Sequence, residues 1–199
     1  MQELQQPTAQ RPDLVCGLVL VSPALPLQAV PYPSLFALRN GPALMPWLGP
    51  ALIAWYASSL SPAGVVDERM RIALAHPERL DPGIRQRLVE LGRRRERHLH
   101  VSARTYAAAA RSLFAYLGSP AGMGGDIVRV ASPALVIHGA RDRLIPVEQA
   151  RRLALQRPDW ALEVFDDCGH VAQLEEPARF VESVAAFMSM LSPPAVGPA

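Results

Sequence analysis

Three short runs of apolar residues, rich in β-branched side chains, stand out along the chain. They occupy residues 15–21, 134–138 and 162–165, and turn-forming residues bound each run. Continuous apolar runs of this length are typical of strands that are buried on both faces of a parallel sheet. The pattern therefore predicts three strands of an α/β fold.

Helical periodicity follows the second and the third of these runs. Val147, Ala150 and Leu153 recur on one helix face between the two runs, and Phe180 and Phe187 recur at helical spacing after the third. A strand, a helix and a strand in this order form a parallel crossover. We therefore expect a doubly wound parallel sheet.

The stretch between the first and the second run has a different character. It begins rich in proline, becomes helical later and shows no strand pattern, whereas connections in α/β units are usually short. Asp81 and Pro82 predict the N-cap and the first turn of a helix that continues toward residue 118. Gly92 is the candidate break in this helix, and the glycines in residues 122–126 predict a flexible hinge.

These patterns divide the chain into four parts. The predicted parts are a core strand in residues 1–26, an inserted helical module in residues 27–125, a second part of the core in residues 126–191 and a disordered tail in residues 192–199. The two core parts supply the strands of the sheet, and the inserted module supplies none. The tail is short and rich in proline and small residues.

Composition places the chain among globular proteins. Its 199 residues are 50% hydrophobic, which is enough for one sizeable core. All 20 basic residues are arginines, but 18 acidic residues leave a net charge of only +2. This balance does not favour a polyanion, so no nucleic-acid partner is expected.

Cysteine usage and hydropathy bear on the location of the protein. Cys16 and Cys168 match no metal-ligand or redox spacing, so we expect free thiols in a reducing compartment. The N-terminus lacks the basic start and the apolar stretch of a secretory signal. Residues 40–66 carry no charge, but their clean apolar helix, residues 51–60, is shorter than the ~20 residues of a membrane span. We therefore expect a cytoplasmic protein without a transmembrane span.

Two polar side chains follow predicted strands at the same edge of the sheet. Asp142 comes after the second strand and His170 after the third, and ligands of open parallel sheets bind at this edge. A carboxylate that accepts a hydrogen bond from one imidazole nitrogen leaves the other nitrogen free to take a proton from a nucleophile. We predict Asp142 as the orienting acid and His170 as the general base. Asp166 or Asp167 is the second choice for the acid.

The loops that carry these residues resemble the C-terminal signatures of the α/β-hydrolase fold family. In VIHGARDRLIP, Gly139, Asp142 and Pro146 match the family's glycine, its triad acid and the proline that opens the next helix. In VFDDCGHVAQLEEPARFVESVAAFM, Gly169 and His170 match the Gly-His of the triad base. The pattern after the base is matched by Glu175, Pro177, Phe180, Val184 and Phe187. The inserted helical module then corresponds to the family's cap.

This resemblance implies a hydrolase that cleaves a small apolar carboxylic ester with a serine nucleophile and without a metal or organic cofactor. The family carries its nucleophile on a G-x-S-x-G turn that precedes the acid and the base in the chain. No such turn occurs here, and Ser22 lacks the flanking glycines, so we interpret it as a strand-end residue. The sequence is therefore interpreted as the C-terminal part of a capped α/β-hydrolase, inactive by itself.

The missing nucleophile leaves other functions open. Epoxide hydrolases and dehalogenases share the fold but use an aspartate nucleophile, which the same upstream turn would carry. A hypothesis from another class is a catalytically inactive fragment that binds a ligand or a partner. A first strand without a neighbour would expose an apolar edge, which predicts self-association or poor solubility.

Aromatic and apolar residues of the inserted module are candidates for the substrate pocket. They are Trp47, Leu52, Trp55 and Tyr56, and they are equally candidates for the core of the module. The histidines show no convincing metal-ligand spacing, so no metal site is expected. Cys168 is interpreted as a structural thiol.

Overall fold

The protein is built on a small parallel sheet. The computed structural model describes residues 15–24, 41, 44–119 and 123–191. The strands β1 (Leu18–Val21), β2 (Ala134–Gly139) and β3 (Ala161–Phe165) pair in the order β1-β2-β3, and both pairings are parallel. The predicted α/β class and its three strands are confirmed, although β1 begins three residues later than the apolar run.

Helices fill the connections between the strands. Between β1 and β2 lie α1 (Gly49–Ser58), α2 (Pro62–Ala73), a 3-10 turn (Pro77–Arg79), α3 (Pro82–Glu96), α4 (Leu99–Gly118) and α5 (Met123–Arg129). The helix α6 (Val147–Gln156) connects β2 to β3, and α7 (Ala172–Glu175) and α8 (Pro177–Ser189) follow β3. We call the described residues between 44 and 129 the helical insert.

The middle strand divides the core into two buried clusters. All six residues of β2 are buried, which explains why its sequence is a continuous apolar run rather than an alternating one. Successive side chains of a strand point to opposite faces of the sheet. Val136 packs with Ala150 and Leu153 of α6 on one face, and Ile137 packs with Phe187 of α8 on the other.

The predicted helix start at Asp81 is confirmed. The Asp81 carboxylate accepts a hydrogen bond from the Ile84 amide at 2.9 Å, and Pro82 occupies the first turn of α3. The expected break at Gly92 is wrong, because α3 continues to Glu96. One glycine costs a helix only about 1 kcal/mol, which the packing of neighbouring residues can offset.

The predicted hinge at residues 122–126 also needs correction, because α5 begins at Met123. The side-chain carboxylate of Asp126 accepts a hydrogen bond from the Tyr116 hydroxyl. The backbone carbonyl of Asp126 accepts one from the Val130 amide at 3.1 Å. These contacts tie the segment to α4 and continue the helical hydrogen bonding. The glycine at position 122 lies outside the described residues.

Some expectations fall on parts of the chain that the structure does not describe. The predicted tail, residues 192–199, is one of them, and the predicted boundary between residues 26 and 27 is another. The division into a core and an inserted domain therefore stays a prediction. No helix in the described ranges has the length and apolar character needed to cross a membrane.

Candidate active site

The loops that follow β2 and β3 run side by side from their first residues. In the register of the sheet, Gly139 is opposite Phe165, where both strands end. The Ala140 amide donates to the Phe165 carbonyl at 2.9 Å, and the Arg141 amide donates to the Cys168 carbonyl at 2.9 Å. The backbone pairing of the strands thus extends into the loops and brings Asp142 and His170 to one edge.

Two glycines permit this close approach. A Cβ atom on Gly139 would lie 2.0 Å from the carbonyl oxygen of Gly169 and 2.3 Å from that of Cys168. A Cβ atom on Gly169 would lie 2.6 Å from the carbonyl oxygen of Ala73, at the end of α2. These distances are too short for a Cβ atom. Steric crowding therefore explains why both positions of the sequence motifs hold a glycine.

Asp142 and His170 are in direct contact. The Nδ1 of His170 lies 2.8 Å from Oδ2 of Asp142, whose side chain is fully buried, while the His170 side chain is 26% exposed. The other carboxylate oxygen, Oδ1, accepts hydrogen bonds from the amides of Leu144 at 2.8 Å and Ile145 at 2.9 Å. The carboxylate is therefore held by its own loop and aimed at the imidazole.

A second histidine, His138, also lies beside Asp142. It is buried in β2, and its Nε2 is 3.0 Å from the Ile145 carbonyl oxygen and 3.4 Å from Oδ2 of Asp142. Because both neighbours are acceptors, Nε2 carries the proton and donates. The sequence patterns assign His138 no role, because the histidines show no convincing metal-ligand spacing. Its position four residues before Asp142 was the one feature of the sequence that could have indicated this contact.

The surroundings keep Asp142 ionised. Burial by itself would raise the pKa of its carboxyl, but the hydrogen bonds from His138, His170 and the Ile145 amide outweigh burial and hold the pKa well below its usual range. An ionised Asp142 fixes the proton of His170 on Nδ1. Within the described residues Nε2 of His170 has no hydrogen-bond partner, so this nitrogen can accept a proton from another group.

Comparison with known proteins identifies the family of this chain. A sequence profile of the alpha/beta hydrolase family matches residues 4–183, most of the chain. The chain belongs to this family. The predicted family resemblance is thereby confirmed.

Individual relatives within the family match shorter stretches. A 2-hydroxymuconate semialdehyde hydrolase of Pseudomonas putida is 41% identical over 64 residues, which are 32% of this chain and 23% of the relative. A pimeloyl-[acyl-carrier protein] methyl ester esterase of Aromatoleum aromaticum is 48% identical over 48 residues, 24% of this chain and 19% of the relative. The matched parts thus span about a fifth to a quarter of these curated relatives.

Solved structures of the family share the fold. A thermophilic esterase from Thermogutta terrifontis superposes with a TM-score of 0.58 over 91% of this chain and 58% of the esterase, at 20% sequence identity. This chain therefore corresponds in fold to somewhat more than half of that enzyme. At this identity the likeness concerns the fold alone.

The two alternative candidates for the family's acid do not contact His170 in the described structure. The carboxylate of Asp167 binds His76 at 2.9 Å, Arg79 at 2.7 Å and Arg141 at 3.1 Å. Hydrogen bonds from His76 and Arg79 lower the pKa of Asp167 to about 2. Asp166 is exposed. Asp167 therefore joins the core to the helical insert, a contact that sequence reasoning missed.

The four candidate pocket residues lie in or next to α1. Trp47 is 93% exposed and Trp55 is 69% exposed, Tyr56 is exposed, and Leu52 is half-buried. None of them lines the open groove of about 810 Å³ between α1, α2, α3 and α4, to which α1 contributes Ala57 and Ser58. Their role in binding a substrate stays a prediction.

Ser22 and Cys168 are the nucleophilic side chains nearest to the strand ends. Ser22 directly follows β1 and is buried, and its φ of 44° is a left-handed conformation that costs a serine some strain. Among the described residues its hydroxyl has no hydrogen-bond partner. Burial raises the pKa of the Cys168 thiol to about 12, so this side chain stays protonated and suits a structural role.

The described residues contain no group of three or more histidine, cysteine and acidic side chains that could hold a metal ion. His76 binds the carboxylate of Asp167, and His138 binds the Ile145 carbonyl in the Asp142 loop.

Proposed function

We propose that this chain carries the acid and base of a serine-hydrolase site, with Asp142 orienting His170 and His170 transferring protons. The observation that carries the proposal is the 2.8 Å contact between His170 Nδ1 and the buried Asp142 carboxylate. The contact lies beyond the carboxyl ends of parallel strands, where such sheets bind ligands. The family's chain order, acid before base, is the same as in this sequence.

In the proposed mechanism His170 acts twice. Its Nε2 first takes the proton of a serine hydroxyl while the oxygen attacks the carbonyl carbon of an ester. The imidazolium then gives this proton to the departing alcohol, which leaves an acyl-enzyme. Water hydrolyses the acyl-enzyme by the same two proton transfers. Asp142 remains ionised throughout and stabilises the imidazolium, as its lowered pKa permits.

The proposed substrate is a small apolar carboxylic ester. The 48-residue match to a pimeloyl-[acyl-carrier protein] methyl ester esterase supports an ester. A second candidate is 2-hydroxymuconate semialdehyde, which the 64-residue match to a hydrolase of that name supports. The helical insert would act as the cap over the site, because it lies between β1 and β2 and contacts the His170 loop.

The test compares the 199-residue chain with a fusion that places before it only the N-terminal part of the Pseudomonas putida hydrolase, ending after the nucleophile turn expected of the family and the helix that follows this turn. Both proteins are assayed with p-nitrophenyl butyrate and with 2-hydroxymuconate semialdehyde. We expect turnover by the fusion and none by the chain alone, because no nucleophile turn occurs in this sequence. In the fusion, His170→Ala should reduce kcat by on the order of 10⁴-fold.

The matched control is His100→Ala, which removes an exposed histidine of the helical insert and should leave kcat unchanged. A folded fusion whose His170→Ala variant keeps its activity would contradict the proposal. Turnover by the 199-residue chain that depends on His170 would instead place the nucleophile within this chain, with Ser22 as the first residue to substitute.

A further inference from the structure

The carboxylate of Glu175 joins two segments that are far apart in the sequence. Its Oε1 accepts a hydrogen bond from the His76 amide at 2.9 Å, and its Oε2 accepts one from the Gly169 amide at 2.6 Å. His76 belongs to the helical insert, and Gly169 immediately precedes His170. One side chain therefore bridges the insert and the loop that carries the proposed base.

The same two segments also touch through their backbones. The His170 amide donates to the carbonyl oxygen of Ala73 at 2.6 Å. A Cβ atom on Gly169 would lie 2.7 Å from the Ala75 amide nitrogen, so the backbones of the two segments are in van der Waals contact at this point. We call residues 73–76 the strap, because this segment lies across Gly169 and His170.

His170 is consequently held at three points. Asp142 holds its ring, the carbonyl of Ala73 holds its amide, and Glu175 holds the amide of the preceding residue. A hydrogen bond from an amide to a carboxylate is roughly twice as strong as one between neutral groups. Catalytic side chains must be held within about 0.5 Å of their productive geometry, so a shift of this backbone would weaken the contact with Asp142.

We propose that Glu175 is a positioning residue for His170, and that it couples the strap of the helical insert to the orientation of the base. This inference rests on the proposed function of His170. Glu175 acts only through the backbone of Gly169, whereas Asp142 acts directly on the imidazole. A displacement of the insert would therefore reach His170 through the Glu175 carboxylate.

The first readout is the tautomer of His170. In the 199-residue chain with ¹⁵N-labelled histidine, two-bond proton–nitrogen correlation spectra show which ring nitrogen carries the proton. Wild-type His170 should be protonated on Nδ1 when neutral. Glu175→Gln keeps the length of the side chain but leaves only one oxygen to accept, so one of the two amides loses its partner. We expect this variant to show a mixture of tautomers.

The matched control is Glu176→Gln. It removes the same charge from the next residue, whose carboxylate contacts Arg179 at 3.3 Å and the Cys168 thiol but neither of the two bridged amides. We expect the His170 spectrum of this variant to be that of the wild type. Asp142→Asn, which removes the charge that fixes the proton on Nδ1, serves as the reference for a released imidazole.

The second readout is amide hydrogen exchange at Gly169 and His76. Both amides should exchange slowly in the wild type, and at least one should exchange about tenfold faster or more in Glu175→Gln. If the variant does not fold, the exchange rates of the wild type still test whether the two amides are hydrogen-bonded to Glu175. Two unprotected amides in the wild type would overturn the inference.

The two proposals fail in different ways. A Glu175→Gln variant with the wild-type His170 tautomer overturns the positioning role, even if its Tm is lower, and it leaves the proposed function intact. An Asp142→Asn variant with an unchanged His170 tautomer contradicts the proposed function itself, because Asp142 would then not orient the imidazole.

Discussion

Four hydrogen-bond donors surround the two carboxylate oxygens of Asp142. Oδ1 accepts from the amides of Leu144 and Ile145, and Oδ2 lies within reach of both His138 and His170. An unpaired buried charge is costly, so each donor offsets part of the cost of burying this one. The loop geometry and the ionised state of the acid are therefore two consequences of one set of hydrogen bonds.

Gly139 offers a direct test of the contact between the two loops. Gly139→Ala would place a methyl group 2.0 Å from a backbone oxygen that cannot move without separating the loops, so we expect a loss of about 3 kcal/mol in the free energy of unfolding. Urea unfolding followed by circular dichroism measures this change.

The control for this substitution is Gly118→Ala, at the exposed end of α4, where a Cβ atom would meet nothing within 4 Å. This variant should stay within about 0.5 kcal/mol of the wild type. Equal unfolding free energies for the two variants would show that the loops do not approach as closely as described.

At the scale of elements, the helical insert is joined to the core by charged groups as well as by the Glu175 bridge. His76 faces Glu78 on its own turn, and it faces Asp167 and Arg141 from the two loops of the core. Hydrogen bonds that His76 donates to Asp167 and, with a smaller effect, to Glu78 raise the pKa of His76 above its usual value. The protonated form of His76 thus binds the core better than the neutral form.

The sign of the pH dependence follows from this raised pKa. The contribution of His76 to stability is fully present below its ordinary pKa and is lost as the pH rises through the raised value in the folded protein. In Asp167→Asn, we expect the pKa of His76 to fall back toward the ordinary value and the loss of Tm between pH 6 and pH 9 to shrink. An NMR titration of His76 and thermal melts measure the two effects.

Asp166→Asn is the matched control, because it neutralises the exposed carboxylate of the adjacent residue. Its His76 should titrate as in the wild type. If His76 had the same pKa in Asp167→Asn as in the wild type, the ion pair between the insert and the core would not form in solution.

At the scale of the whole molecule, one edge of the sheet has no partner strand among the described residues. The amides of Leu18 and Ser22 donate to the β2 side, to Pro133 and Ile137. Because successive amides of a strand point in opposite directions, those of Val19 and Val21 point away from β2. Such an edge is a template for pairing with another chain.

We therefore expect the 199-residue chain to self-associate through β1, with a sedimentation coefficient that rises with concentration. Val21→Pro removes an outward amide without removing a hydrogen bond to β2, so it should weaken the association. Val21→Thr keeps the amide and the branched side chain and should associate like the wild type. A wild-type chain that sediments as a monomer at all concentrations would rule out this edge as a pairing surface.

Much of the fold could be predicted from the sequence because its signals are local. The continuous apolar runs identified the three strands of the described residues, and the periodicity of Val147, Ala150 and Leu153 identified α6. The order of strand, helix and strand then placed the residues after β2 and β3 at one edge of the sheet. Asp142 and His170 could be paired from the sequence for this reason, although their catalytic roles remain proposals.

Other features could not be predicted because they join residues that no local pattern relates. His76 meets Asp167 and Glu175 across 91 and 99 positions of the chain, and only the packing of the insert on the core brings them together. The exposure of Trp55 likewise depends on which face of α1 packs against α4. The sequence by itself determined the described strands, the helix between β2 and β3 and the sheet edge that Asp142 and His170 share, because local periodicity and chain connectivity specify them. The tertiary structure alone decided how the insert holds the loop of His170, since those contacts depend on the relative placement of distant segments.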